Sequence, residues 1–206
     1  MPAQLDLIIG KPAIACNRIS LIYPFTRWRP TIYIHPESNE TDISYIKAHV
    51  AMGIECYIAE RYTFPPVGVF DVPDAPNIHW IKECHHHLEN FDSQNDLPDE
   101  WHFPALCSFG GSVNMAMQIA VMKGANEIVL LGCDLAYRNG KGKSHFSKEY
   151  ETGKEMPAFY AAKNALYGHI HALNTIRRKK LPVKVYNATI GGTLDIWERI
   201  RLEDVC

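Results

Sequence analysis

Apolar and polar positions along this chain switch between two rhythms. Lys11-Pro-Ala-Ile-Ala-Cys16 is a short β-prone run ending at Asn17-Arg18, and Thr31-Ile-Tyr-Ile-His35 is a second, closed by Pro36. From Glu40 to Met52 the spacing changes to that of a helix, with Ile43, Ile46, Lys47 and Val50 on one face and Gly53 behind it. Ile54-Glu-Cys-Tyr-Ile58 then returns to a strand. From Pro65 to Pro104 the pattern weakens into prolines, histidines and aspartates, with one short strand near Asn77–Trp80. Regular spacing resumes with a helix over Ser112–Lys123 and a strand over Glu127–Leu131. A polar loop from Arg138 to Gly153 leads into a long helix over Met156–Lys180, which carries Phe159, Ala162, Leu166, Ile170, Leu173 and Ile176 at helical spacing. Pro182 ends that helix, Val183-Lys-Val-Tyr186 is a last strand, and Asn187–Gly192 is a turn.

At least five strands thus interleave with three helices. That order predicts an α/β fold, a Rossmann-like three-layer sandwich with a mainly parallel sheet. The expected organisation is a single domain over residues 1–206, with an irregular insertion or lid at about 65–104.

Composition narrows the class. The 206 residues are 47% hydrophobic and 21% charged, which suits a packed core and argues against disorder. A net charge of −2 gives no reason to expect nucleic-acid binding. The one basic cluster, Arg177-Arg-Lys-Lys180, falls at the end of a predicted helix and complements its dipole. No apolar run nears the ~20 residues of a membrane span. The six cysteines lack CxxC spacing and sit in apolar surroundings, as expected of reduced thiols in a cytoplasmic protein. The sequence leaves the oligomeric state open, a homo-oligomer included.

Candidate chemistry gathers in four places. Gly110-Gly111-Ser112 opens a helix, where unpaired N–H groups and the dipole suit a phosphate; the same two glycines equally suit a tight strand-to-helix connection. Asp134 follows a strand and can serve a ribose hydroxyl, a metal or a loop cap. The loop Tyr137–Phe146 contains Lys141, Lys143 and His145, a set able to move a proton and support a departing phosphate, or simply a solvated loop. Asn187 and Thr189 can read a nucleobase or ribose, or form a side-chain turn before Gly191. A zinc site among His79, Cys84, His85, His86, His87, Glu89 and His102 is not expected, because consecutive histidines diverge and the spacing fits no structural zinc pattern.

Together, Pro12-Ala-Ile-Ala-Cys-Asn17-Arg18, Gly110-Gly-Ser112, Glu127-Ile-Val-Leu-Leu-Gly-Cys-Asp134-Leu-Ala-Tyr137, Ser144-His-Phe146 and Asn187-Ala-Thr189 resemble a known superfamily. It unites bacterial CMP-sialic acid transferases of the Campylobacter type, motility accessory factor flagellin glycosyltransferases and archaeal 6-hydroxymethylpterin diphosphokinase-like proteins. The resemblance spans most of the chain outside Pro65–Pro104 and is most specific in Gly132-Cys-Asp-Leu-Ala-Tyr137. It implies a nucleotide-sugar-dependent glycosyltransferase-like protein, with a CMP-sugar donor and a small-molecule or glycan acceptor. Asn17, Gly110, Gly111, Ser112, Asp134, Asn187 and Thr189 would bind the nucleotide, and His145 and Tyr137 would act in catalysis. The alternatives it carries are pyrophosphate transfer from ATP to a pterin alcohol, with Mg²⁺, and a non-catalytic nucleotide-binding module. Three features depart from the family pattern. The Asn-Gly-Pro-Ser turn that usually precedes this point is missing, as if the N-terminus were truncated. An extra residue also separates Asp134 from Tyr137, and the His145 loop is short.

Overall fold

A computed structural model describes residues 2–36, 42–60, 72–84, 101–102, 105–107, 111–135, 147, 149 and 158–205. Within them the chain is an α/β sandwich of parallel strands and helices. The strands are β1 (Ile14–Cys16), β2 (Ile32–His35), β3 (Glu55–Ala59), β4 (Ile78–Cys84), β5 (Trp101–His102), β6 (Ala105–Cys107), β7 (Glu127–Leu130), β8 (Lys184–Asn187) and β9 (Glu198–Arg199). The helices are α1 (Pro2–Leu7), α2 (Ile43–Ala51), α3 (Ser112–Met122) and α4 (Ala158–Lys179).

The strands form two sheets, in the orders β1-β2-β3-β4-β6-β5 and β7-β8-β9. Every pairing is parallel except β5 with β6. Period-two alternation divides the larger sheet's side chains between two helical layers. Ile32, Ile34, Tyr57, Ile81 and Leu106 pack under Met115 and Ile119 of α3. Tyr33, Cys56 and Ile58 pack on the opposite face under Ile46, Ile43 and Val50 of α2. Beside them, α1 and a 3-10 helix at Ile19–Phe25 bury Leu5, Ala15, Ile22 and Trp28. Leu131, just past β7, packs into that cluster and joins the second sheet to the first beside β1.

The short strand expected near Asn77–Trp80 is present and longer, a seven-residue strand over Ile78–Cys84 between β3 and β6. Lys82 and Glu83 broke its apolar signal, yet both lie in register with β6. Elsewhere the differences are at boundaries, with α4 running over Ala158–Lys179 rather than from Met156. The turn into β4 is fixed by Asn77, whose Nδ2 donates to the carbonyls of Val50 at 3.2 Å and Ile54 at 2.7 Å. Among the described residues no helix is long and apolar enough to cross a membrane.

The face that α4 buries is partly polar. Ala172 is buried there together with His169, His171 and Thr175. Trp197 Nε1 donates to His169 Nδ1 at 3.1 Å, so the ring is held as the neutral tautomer protonated at Nε2. Burial pushes the His169 pKa down from 6.5 to about 4, and burial likewise lowers that of His49. Between those limits the unfolded chain binds more protons than the folded one, so stability is lost as pH falls. For His169 the loss from pH 6.5 to pH 4 amounts to roughly 3 kcal/mol at most. Urea unfolding at pH 6.5, 5 and 4 should show this decline. His169→Gln, whose amide oxygen still accepts from Trp197, should flatten it; an unchanged slope in the variant would rule out His169 as a source.

Candidate functional site

Ligands of open α/β sheets bind beyond the carboxyl ends of the strands. In the larger sheet that edge carries Asn17 after β1, the end of β2 at His35, and the N-terminus of α3 after β6. Asn17 stands at φ 54°, in the left-handed region that asparagine tolerates better than most residues. Its N–H donates to the Ile34 carbonyl at 3.1 Å, which continues the β1–β2 ladder one residue past the strand.

The turn at Asn17 aims its carboxamide at the start of α3. Ser112 Oγ lies 3.1 Å from Asn17 Nδ2 and 3.3 Å from Asn17 Oδ1, a contact between residues 95 apart in the chain. Gly111 is the N-cap of α3 at φ 84° and ψ −165°, a conformation essentially reserved for glycine. Its carbonyl accepts the first helical bond, from Asn114 N–H at 3.1 Å. Gly111, having no side chain, gives this helix end no cap bond of its own. The arrangement can therefore offer an anion backbone N–H donors, a helix dipole, a hydroxyl and a carboxamide.

Behind Asn17 lies a buried polar network that the sequence reading did not single out. Arg18 Nε donates to Asp42 Oδ1 at 2.7 Å, and both side chains are almost fully enclosed. Asp42 occupies the N-cap position of α2 but makes no cap bond there; its carboxylate turns to Arg18 and faces His35 Nε2 at 3.5 Å. His35 Nδ1 lies 3.2 Å from the Tyr33 hydroxyl, which donates to the Asn17 carbonyl at 2.7 Å. The Tyr33 ring stacks on His49 with centroids 3.7 Å apart. Since the Tyr45 carbonyl can only accept, His49 donates from Nδ1 and accepts from the Tyr23 hydroxyl at Nε2, both at 2.7 Å. The signal available in the sequence was the pair Tyr33 and His35 within an otherwise apolar, fully buried strand.

A second group of expected residues meets at the carboxyl edge of the smaller sheet. The turn Gly191–Thr193 clamps the segment after β7: Thr193 N–H donates to the Asp134 carbonyl at 2.6 Å and its hydroxyl to the Leu135 carbonyl at 3.0 Å. A Cβ on Gly192, itself at φ 86°, would lie 2.6 Å from Asp134 Cα. Asn187 and Thr189 are buried and make the side-chain turn that was one of their two readings. Asn187 Oδ1 accepts from Thr189 N–H at 3.0 Å and its Nδ2 donates to the Leu194 carbonyl at 3.1 Å. Thr189 Oγ1 accepts from Cys133 N–H at 3.0 Å. Burial, with the Asp134 carboxylate beside it, raises the Cys133 thiol to about 12, so it stays protonated near neutrality.

Gly110, Tyr137 and His145 lie outside the described residues, as do His85, His86, His87 and Glu89. His79 belongs to the opposite, amino end of the sheet. There its Nε2 lies 3.1 Å from Glu55 Oε1, which also accepts from Lys123 at 2.6 Å and from the Tyr57 hydroxyl at 3.0 Å. Among the described residues no three His, Cys, Asp or Glu side chains are grouped to share a metal ion. No family model, curated protein or solved structure matches this chain.

Two substitutions test this construction. Gly111→Ala should cost about 1–3 kcal/mol in urea unfolding, entirely through the backbone, because a Cβ there meets nothing within 4 Å. Arg18→Met should cost about 3–5 kcal/mol, because it strands the Asp42 carboxylate in a dry site. A loss below about 1 kcal/mol, typical of an exposed pair, would show the pair to be solvated.

Proposed function

We propose that this chain binds the phosphate of a nucleotide or nucleotide-sugar where Asn17 meets Ser112, and serves glycosyl transfer with a CMP-sugar as donor. The observation supporting this is the convergence of Asn17 and Ser112 at the N-terminus of an 11-residue helix, past the carboxyl end of β1. Helix N-H groups and neutral side-chain donors suit an anion that must be held and then released. In this reading Gly110, Gly111 and Ser112 cradle the phosphate and Asn17 orients it. Asp134 accepts from the ribose hydroxyls, and Asn187 and Thr189 hold the turn that fixes Asp134 in place.

The catalytic roles rest on the resemblance and on chemistry. His145 deprotonates the acceptor hydroxyl as it attacks the anomeric carbon. The bond from that carbon to the phosphate oxygen then breaks, and CMP departs with the electron pair. Tyr137, with Lys141 and Lys143, neutralises the charge on the leaving phosphate. Calorimetric titration with CMP, CDP, UDP and ATP, with and without Mg²⁺, tests the reading. CMP should bind tightest and without Mg²⁺, and Asn17→Ala or Ser112→Ala should weaken it about tenfold, the effect of one good hydrogen bond. Mg²⁺-dependent preference for ATP would replace glycosyl transfer with pyrophosphate transfer. Binding without turnover of any CMP-sugar would leave a nucleotide-binding module, and no binding at all would remove the proposal.

A further inference from the structure

Asn17 is held in a backbone conformation that it does not prefer, at φ 54°. A left-handed asparagine persists only when its surroundings over-determine it. Three restraints do so: its N–H donates to Ile34, its carboxamide meets Ser112, and its carbonyl accepts from Tyr33. The first is an ordinary sheet bond. The second is the contact whose geometry needs explaining, so it cannot be its own cause. Among these three, the Tyr33 hydroxyl, 2.7 Å from the carbonyl, is the one that reaches the turn from a buried side chain.

Tyr33 is built to do this. It is fully buried, and its ring lies within 5° of parallel to His49. His49 is pinned in turn by the Tyr45 carbonyl within α2 and by the Tyr23 hydroxyl. Tyr23 is covered by the Arg29 guanidinium, 4.0 Å from its ring centroid, and Arg29 is itself fixed to the carbonyls of Thr26 and Trp28. The hydroxyl thus stands on a ring stacked on His49, which Tyr23 meets edge-on, with a hydrogen bond joining His49 to Tyr23. Such a seat transmits the position of α2 to the Asn17 carbonyl with few soft torsions.

We infer that Tyr33 is the positioning residue of this site: its hydroxyl locks Asn17 left-handed and so lays the carboxamide across Ser112 at the start of α3. Tyr33 touches no ligand in this scheme and acts through Asn17 alone. For its binding readout the inference rests on the phosphate-site proposal above; for its structural readout it does not.

Tyr33→Phe keeps the ring on His49 and removes only the hydroxyl. In the ligand-free protein it should shift and broaden the Asn17 side-chain amide signals in ¹⁵N-resolved NMR spectra. It should also weaken CMP binding about tenfold, the cost of one lost orienting bond, and should add no further loss in an Asn17→Ala background. A purely structural role would shift stability but leave the two substitutions additive in binding. Unmoved Asn17 amide signals, or full additivity with Asn17→Ala, would overturn the inference. If the wild-type protein binds none of the nucleotides, the phosphate-site proposal fails and the amide signals alone decide the role of Tyr33. Should the Phe variant not fold, the wild-type Tyr33 hydroxyl proton decides: slow exchange supports the bond to Asn17, and fast exchange refutes it.

Discussion

One carboxylate, one guanidinium and one imidazole share a site from which water is nearly excluded. Asp42 stands between Arg18 and His35, with its own side chain and that of Arg18 only 5% and 7% exposed. Charges in such a place cost several kcal/mol each to desolvate, and their attraction offsets this only if the geometry is tight. The pair therefore adds little net stability and much constraint. It allows one relation between the turn after β1, the end of β2 and the start of α2. Moving the turn after β1 away from the start of α2 would separate a buried carboxylate from the guanidinium 2.7 Å away. Because Asn17 precedes Arg18 directly, this constraint also fixes where the candidate site begins.

The remainder of the fold follows from two apolar seams. Alternation in β2, β3 and β4 sends one set of side chains to α3 and the other to α2, so the larger sheet is enclosed on both faces. The smaller sheet buries Leu130 and Val185 against α4, with Trp197 and Leu194 closing one side. Its attachment beside β1 runs through Leu131, and through Gln4 of α1, which donates to the Ala188 carbonyl at 3.0 Å. The Asp134 segment is then shaped from the far side. Thr193 and the close approach of Gly192 hold it, so a two-glycine turn on one strand sets the position of an acid on another.

The sequence was legible where one force acted alone. Strands β1, β2, β3 and β7, and helices α2, α3 and α4, follow from apolar spacing with proline and glycine stops, to within a few residues at their ends. It was less legible at β4, whose central place depends on pairing partners far away in the chain, and whose Lys82 and Glu83 disguise it. The meeting of Asn17 with Ser112 was not legible, since no local pattern couples residues 95 apart. The network behind them left fainter marks. Arg18, Tyr33, His35, Asp42 and His49 each have an unremarkable local reading, as turn, strand, strand, helix cap and helix. What makes them a unit is burial, and burial is a property of the assembled fold.

That distinction bears on how the site works. A cradle of lysines binds phosphate with flexible point charges and needs little support from behind. The donors gathered at Asn17, Gly111 and Ser112 are neutral or backbone groups, and neutral hydrogen bonds are strongly directional. Misaligning such donors forfeits most of their value, because each has already given up water to take its place. A site of this type therefore needs a rigid support, and rigidity here comes from buried polar contacts rather than from apolar packing alone. Hydrophobic contacts tolerate small shifts, whereas the Asp42 carboxylate and the Tyr33 hydroxyl do not. Arg18, Asp42, His35 and Tyr33 are accordingly placed behind Asn17 and not in front of it. Their charges are turned inward toward one another, and among the described residues the groups at Asn17, Gly111 and Ser112 are neutral donors.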